Sequence, residues 1–195
     1  MLPHIVLASR SPRRRELLTM LGMTDFEIIP AADEADFPGD IQPGEAAIAV
    51  ALGKARAIEP IAPAGSLILA ADTVVSLDGR ILEKPADEAE AFSMLSALSG
   101  REHTVYSGIV LLYDGKVICR HEATDVRFRP LSGAEIRGYI ATGEPMDKAG
   151  AYGAQGVASL FIESINGDFF NVVGLPLCTL GKMLEEFGFN ILIDN

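Results

Sequence analysis

Between Leu7 and Leu18 the chain reads LASRSPRRRELL, placing Arg10, Arg13, Arg14 and Arg15 close together in a sequence of 16 basic against 27 acidic residues and a formal net charge of −11. Ser11 and Pro12 mark a helix start there, because serine caps the free N–H groups of a first turn and proline suits the first helical position. Arginines in a first turn sit at the positive end of the helix dipole, each at a cost of about 0.3–1 kcal/mol unless an anion is nearby. A phosphate at that terminus would be held by the dipole, the free amides and the guanidinium groups together. At 100° per residue, Arg14 shares a face with Leu17, Leu18 and Leu21, Arg13 lies at its flank, and Arg15 and Glu16 point away. Arg13 and Arg14 are therefore the candidate ligands, with the hydroxyls of Ser9 and Ser11 beside them; the competing reading is a solvated helix end paired with carboxylates.

Asp72 closes an apolar run, SLILAAD, where burial without a partner would be costly. It is expected at a strand end facing a cleft, where it could hold a divalent ion, take a proton from water or accept backbone hydrogen bonds. Asp33 and Glu34 form an acidic pair in a loop, which fits either solvated surface or the one or two carboxylates that a hard cation takes alongside phosphate oxygens. Lys54 falls in an alanine-rich helix and Lys84 before Pro85 in an extended segment. Each is a surface residue or a phosphate partner. The loop DKAGAYGAQG brings backbone close to any ligand, and Gln155 offers both a donor and an acceptor to a base edge, although the spacing is neither Walker A nor GxGxxG. His4, His103 and His121 are scattered and read as structural. Cys119 and Cys178 show no metal or CxxC spacing and read as buried free thiols.

These side chains need a frame, and the hydrophobic periods supply one. Residues 4–8 (HIVLA) read as a buried strand, 12–21 as a short helix and 44–58 as a second helix with Ile48, Leu52, Ala55 and Ile58 on one face. SLILAADTVVSL (66–77) reads as a central strand covered on both faces, and Asp78-Gly79 as a hairpin turn into RILEKP. Residues 87–98 form an amphipathic helix stopped by Gly100. Two long strands follow over 103–128 around Asp114-Gly115, and Ser132 with Glu135 makes a capping box for a helix to about Thr142. After the glycine-rich loop come a strand ASLFIESI, an Asn-Gly turn and FFNVVGLP, leading into a C-terminal helix. Helices alternating with strands, interrupted by hairpins, describe an α/β protein with a mixed sheet.

At 195 residues and 49% hydrophobic, the chain suffices for a single domain over 1–195. The longest apolar runs fall far below the roughly 18 residues of a membrane span. At the N-terminus arginines follow rather than precede a short apolar stretch, the reverse of a secretory signal, so a cytoplasmic protein is expected. The acidic balance disfavours a nucleic-acid backbone as partner but not a small anion bound where cations are gathered.

Taken together, LASRSPRRRELL, the acidic pair at 33–34, GKA at 53–55, ADTVV at 71–75, LEKP at 82–85, LSGREHTVYSG and DKAGAYGAQG…INGDFFNVVGLPL resemble the Maf (septum formation) family, in order from residue 7 to 177. The resemblance implies an elongated mixed sheet flanked by helices, with a cleft between two lobes, and commonly a homodimer. It implies a nucleoside triphosphate pyrophosphatase that uses a divalent cation, Mg²⁺ or Mn²⁺. Position by position, it makes Ser9, Arg13, Arg14, Lys54 and Lys84 triphosphate ligands, Asp72 the proton acceptor or a metal ligand, and Glu34 a metal ligand. Arg13, Thr73 and Gln155 match the branch acting on dTTP and UTP. Ala154 departs from the isoleucine that many members place there, which bears on how tightly the base is gripped. The family's older name suggests a different class of function, a nucleotide-binding regulator of cell division without turnover, which would need neither Asp72 nor a metal.

Overall fold

The computed structural model describes residues 2–31 and 41–194. The first strand, β1 (Ile5–Leu7), leads into α1 (Pro12–Met20), then β2 (Phe26–Ile28) and α2 (Pro43–Ile58). The long strand β3 (Leu67–Leu77) turns through Asp78-Gly79, both at positive φ, into β4 (Arg80–Leu82). Then come α3 (Glu88–Leu98), the hairpin β5 (Glu102–Tyr113) and β6 (Lys116–Phe128), and α4 (Gly133–Ile140) with the Ser132–Glu135 capping box formed. Short 3₁₀ turns at Glu144–Asp147, Ala149–Ala151 and Val157–Phe161 precede β7 (Ile162–Asn166), α5 (Phe169–Val173), α6 (Leu177–Glu185) and α7 (Ile191–Asp194).

Among the described residues seven strands make one mixed sheet in the order β2-β1-β3-β5-β6-β7, with β4 paired to β3. The β1 strand runs parallel to β2 and β3, whereas β3, β5, β6 and β7 pair antiparallel. This is the expected α/β mixed sheet. Alternation along β3 splits its side chains between two faces. Ile68 and Ala70 face the apolar side of α2 at Ala51, Ala55 and Ile58. On the other face Leu67, Leu69 and Ala71 join a cluster with Leu17, Leu18 and Leu180, while Val75 and Leu77 join a second cluster with Leu95, Phe128 and Ile136. Thr73 and Ser107, paired across β3 and β5, lie where those two clusters meet. A polar layer thus crosses an otherwise apolar face.

Four expectations change. Val157–Phe161 is 3₁₀ rather than the start of a strand, because Ala158 and Phe161, both buried in one cluster, recur at a spacing of three. A three-residue edge strand, β2, appears where no pattern signalled one; Phe26 is half-buried and Glu27 and Ile28 are exposed, so the apolar signal is weak. Cys178 is exposed on α6 and Cys119 is half-buried, because the apolar face of α6 is formed by Leu177, Leu180, Met183 and Leu184 instead. Asp72 lies in the middle of β3, not at its end.

The helix α2 comes unusually close to the sheet at Gly108. A Cβ there would overlap the backbone of Ala47 and Ile48. Gly108→Ala must therefore push α2 off the sheet, at about 1–3 kcal/mol for overpacking. The melting temperature is expected to fall by several degrees, at roughly 2–4 °C per kcal/mol for a chain of this size. An unchanged melting temperature would show that this approach is not constrained.

Candidate active site

The strand β5 covers one edge of β3 along most of its length. The other edge is shared. The strand β1 pairs with it only as far as Leu7↔Leu69, and β4 takes it up again only at Val75↔Leu82. Between those points a cleft of about 390 Å³ opens, within the usual range for a small-molecule site. Among the described residues no strand pairs with this stretch of the edge, and such an opening lets side chains of both faces reach one space, which is why the sequence neighbours Asp72 and Thr73 both line it. The chain leaving β1 turns at Ala8–Ser11 and starts α1 beside this gap, so the helix N-terminus faces the cleft. Its cap is the expected one: the Ser11 hydroxyl accepts from the Arg14 N–H at 3.4 Å, with Pro12 at the first position.

All the candidate residues that fall among the described ones line this cleft: Ser9, Arg13 and Arg14 from the turn and α1, Lys54 from α2, Asp72 and Thr73 from β3, Lys84 after β4, and Gln155. Arg10 and Lys148 join them, so that among the described residues six basic side chains line the cleft with two carboxylates, Asp72 and Asp147. A strongly acidic chain has gathered positive charge in one low-lying space, which focuses the field on an anion. Glu34 lies outside the described residues.

Arg14 is 8% exposed and spreads its guanidinium over three elements. Nε donates to the Gly174 carbonyl (2.9 Å), Nη1 to Ser9 Oγ (3.0 Å) and Nη2 to Thr73 Oγ1 (3.1 Å). Gly174 ends α5 at φ 120°, and a Cβ there would lie 3.2 Å from Thr73 Oγ1, so glycine is what lets this backbone reach the fork. As the helical angles require, Arg13 is half-buried at the flank, and Arg15 and Glu16 are exposed.

On the opposite face of β3, Lys54 Nζ meets Asp72 Oδ1 at 2.6 Å, with side-chain exposures of 11% and 19%. Its position follows from Gly108, which seats the helix that carries Lys54. No described residue hydrogen-bonds Asp72 Oδ2. Among the described residues no group of three or more His, Cys, Asp or Glu side chains converges. Asp72, with Oδ2 not bonded by any described residue, fits a hard cation shared with ligand oxygens, the usual arrangement for Mg²⁺.

The far wall is the loop 147–156. Gln155 is exposed there, between Ala154 and Gly156, and Tyr152, Val105, Val172 and Val173 add an apolar surface. Glu144 ties this wall down: its carboxylate accepts from Tyr139 Oη (3.0 Å) and from the Val157 N–H (2.9 Å). Lys148 donates to Asp147 (2.6 Å) and to the Glu144 carbonyl (2.8 Å). That bond, helped by Arg13, holds the Asp147 carboxyl below its ordinary range against the opposing effect of partial burial.

Residues 4–187 match the family model described as Maf-like protein. The chain belongs to the Maf family. Among its relatives, a dTTP/UTP pyrophosphatase of Symbiobacterium thermophilum is 50% identical over 188 residues, 96% of each chain. One of Thermococcus gammatolerans, with the same name, is 50% identical over 96% of this chain and 98% of its own. The solved Ham1 protein of Staphylococcus aureus shares the fold, with a TM-score of 0.51 at 16% identity over 94% of this chain and 99% of that one.

Several residues of this Maf cleft are not signalled individually by the sequence. Asp147, Lys148 and Tyr152 stand inside the glycine-rich loop, where one aromatic and one ion pair among small residues were the available hint. Asn171 is completely buried beneath Thr73 and Ser107; a lone amide within the apolar FFNVV was its only mark.

Tyr152 is anchored by His103, which is 3% exposed, with Nε2 and Tyr152 Oη 2.7 Å apart and Nδ1 without a partner. Burial pushes this imidazole down from 6.5 to about 4, and Asp125 opposes that only in part. Between those values the unfolded chain binds the proton and the folded one does not, so stability falls as pH drops through the window. The full loss amounts to about 3 kcal/mol. In a His103→Phe/Tyr152→Phe double variant, which replaces both partners by apolar rings, the melting temperature should decline less between pH 6.5 and 4.5 than in the parent. Equal declines would contradict the assignment.

Proposed function

We propose that this chain hydrolyses dTTP and UTP to the monophosphate and pyrophosphate. The observation that carries the reading is the convergence of Arg13, Arg14, Lys54 and Lys84 with Asp72 at the uncovered edge of β3. Curated relatives about half identical along nearly the whole chain carry that activity in their names.

A nucleoside triphosphate brings about four negative charges, and most of the catalysis such a substrate requires is positioning and charge neutralisation. Arg13, Lys54 and Lys84 hold the phosphates, and Ser9 adds a hydroxyl. Arg14 contributes its charge from a fixed position, since its fork is spread over Gly174, Ser9 and Thr73. Lys54 holds one oxygen of Asp72, and the other, Oδ2, serves the water that attacks the α-phosphorus, either by taking its proton directly or by holding the divalent ion that would activate it. The P–O bond to the β-phosphate breaks and pyrophosphate leaves with its charge balanced by the lysines. A divalent ion, Mg²⁺ or Mn²⁺, held by Asp72 and Glu34 together with phosphate oxygens, would supply Lewis-acid activation and further charge neutralisation. Gln155 and Thr73 read the base against the apolar wall at Tyr152, Val105 and Val172.

Two outcomes are expected when pyrophosphate release is assayed over a panel of triphosphates with Mg²⁺ or Mn²⁺. Asp72→Asn should lose about 10²–10⁴ in kcat while remaining folded. Near-normal turnover would remove Asp72 from the proton transfer. Gln155→Ala should lower kcat/KM for dTTP and UTP by the equivalent of about 1–3 kcal/mol and affect purine triphosphates less. Equal losses for every base would contradict base reading by Gln155. A parent protein that binds these nucleotides without releasing pyrophosphate would overturn the enzymatic reading itself.

A further inference from the structure

A hydroxyl has one proton to give and two lone pairs, so its role toward a ligand is set by the bonds already made behind it. Ser107 is completely buried, and its Oγ lies 2.8 Å from the Asn171 carbonyl and 2.8 Å from Thr73 Oγ1. A carbonyl only accepts, so the single Ser107 proton is committed to Asn171. Thr73 must then donate its own proton to Ser107. Arg14 Nη2, a donor only, takes a lone pair of Thr73 at 3.1 Å. Toward the cleft Thr73 keeps one lone pair and no proton.

The carbonyl at the root of this chain is itself fixed. Asn171, also completely buried, accepts the Ser107 N–H at Oδ1 (3.0 Å) and donates from Nδ2 to Val105 O and to Thr124 Oγ1 (2.9 Å each). On the other arm of the arginine fork the polarity is reversed. Ser9 Oγ accepts from Arg14 Nη1 (3.0 Å) and from the Ser11 N–H (3.2 Å), which occupies both lone pairs and leaves a proton to give. A donor suits a phosphate oxygen; an acceptor suits a base N–H.

We infer that Ser107, which does not line the cleft, is a specificity-determining positioning residue: by holding Thr73 as an acceptor it selects bases with a ring N–H, uracil and thymine, over cytosine. Uracil and thymine present N3–H, whereas N3 of cytosine is a bare acceptor that would meet the Thr73 lone pair head-on. The inference rests on the pyrimidine reading given above. It explains how a threonine, able to donate or accept in water, discriminates between two bases of the same size.

The test compares kcat/KM for UTP and CTP in the parent and in Ser107→Ala, where the Thr73 hydroxyl is released to donate. The parent should prefer UTP, and the preference should shrink at least about tenfold in the variant, the scale of one mismatched buried hydrogen bond. A ratio unchanged within about twofold, with both rates lowered alike, would reduce Ser107 to a packing role and overturn the inference. So would a parent that does not distinguish the two substrates. If Ser107→Ala fails to fold, Ser107→Cys fills the same space with a weaker acceptor and should shift the ratio in the same direction; an unshifted ratio there has the same adverse meaning. A parent inactive on both UTP and dTTP would instead sink the underlying reading.

Discussion

The stretch of β3 between Leu69 and Val75, where among the described residues no strand pairs along one edge, is the constraint on which the rest of the molecule turns. Where a strand has neighbours on both edges, its two faces are sealed from one another, and alternate residues serve different layers. Here β1 stops early and β4 starts late, so Asp72 from the α2 side and Thr73 from the opposite side open into one space. The end of β1 also places the first turn of α1 at that gap. The arginine-bearing first turn of α1 and a carboxylate–lysine pair are thereby brought together at one cleft.

Burying an arginine is costly unless its donors are satisfied, and Arg14 meets that condition with groups from three separate segments. The result is more than neutral packing. The guanidinium links the turn after β1, the middle of β3 and the end of α5, and it does so where two apolar clusters are separated by the polar layer of Thr73, Ser107 and Asn171. A satisfied buried network of this kind rigidifies its members and gives each hydroxyl one direction, whereas the apolar clusters on either side tolerate repacking. The division of the sheet face into two clusters with a polar seam is the form the two-lobed expectation takes in this structure.

What could be read beforehand was whatever depends on near neighbours in sequence. The Ser11-Pro12 helix start, the Asp-Gly turns at 78 and 114 and the Ser132–Glu135 capping box are all local, and each is present. The direction of Arg14 relative to Arg15 followed from helical angles alone. The cost of burying an unpaired carboxylate argues for Asp72 at a strand end; what permits its mid-strand position is Lys54 and, among the described residues, the lack of a strand neighbour at that edge, both tertiary facts. The partner of Arg14 at Gly174 lies 160 residues away, beyond any local pattern. Val157–Phe161 mixed apolar and polar residues in a way that fits period two or three equally, and burial decided for three. Ser107 and Asn171 look like ordinary polar residues until their hydrogen bonds are traced. Glu34 lies outside the described residues, so its role stands on the family resemblance.

If a triphosphate seats at the β3 edge with its α-phosphorus beside Asp72, the bond that breaks reports this most directly. Turnover of UTP in water labelled with heavy oxygen, followed by mass spectrometry of both products, locates the attack. The label is expected in the monophosphate, with none in the pyrophosphate. Label in pyrophosphate, or release of orthophosphate, would place the attack on another phosphorus and contradict that seating.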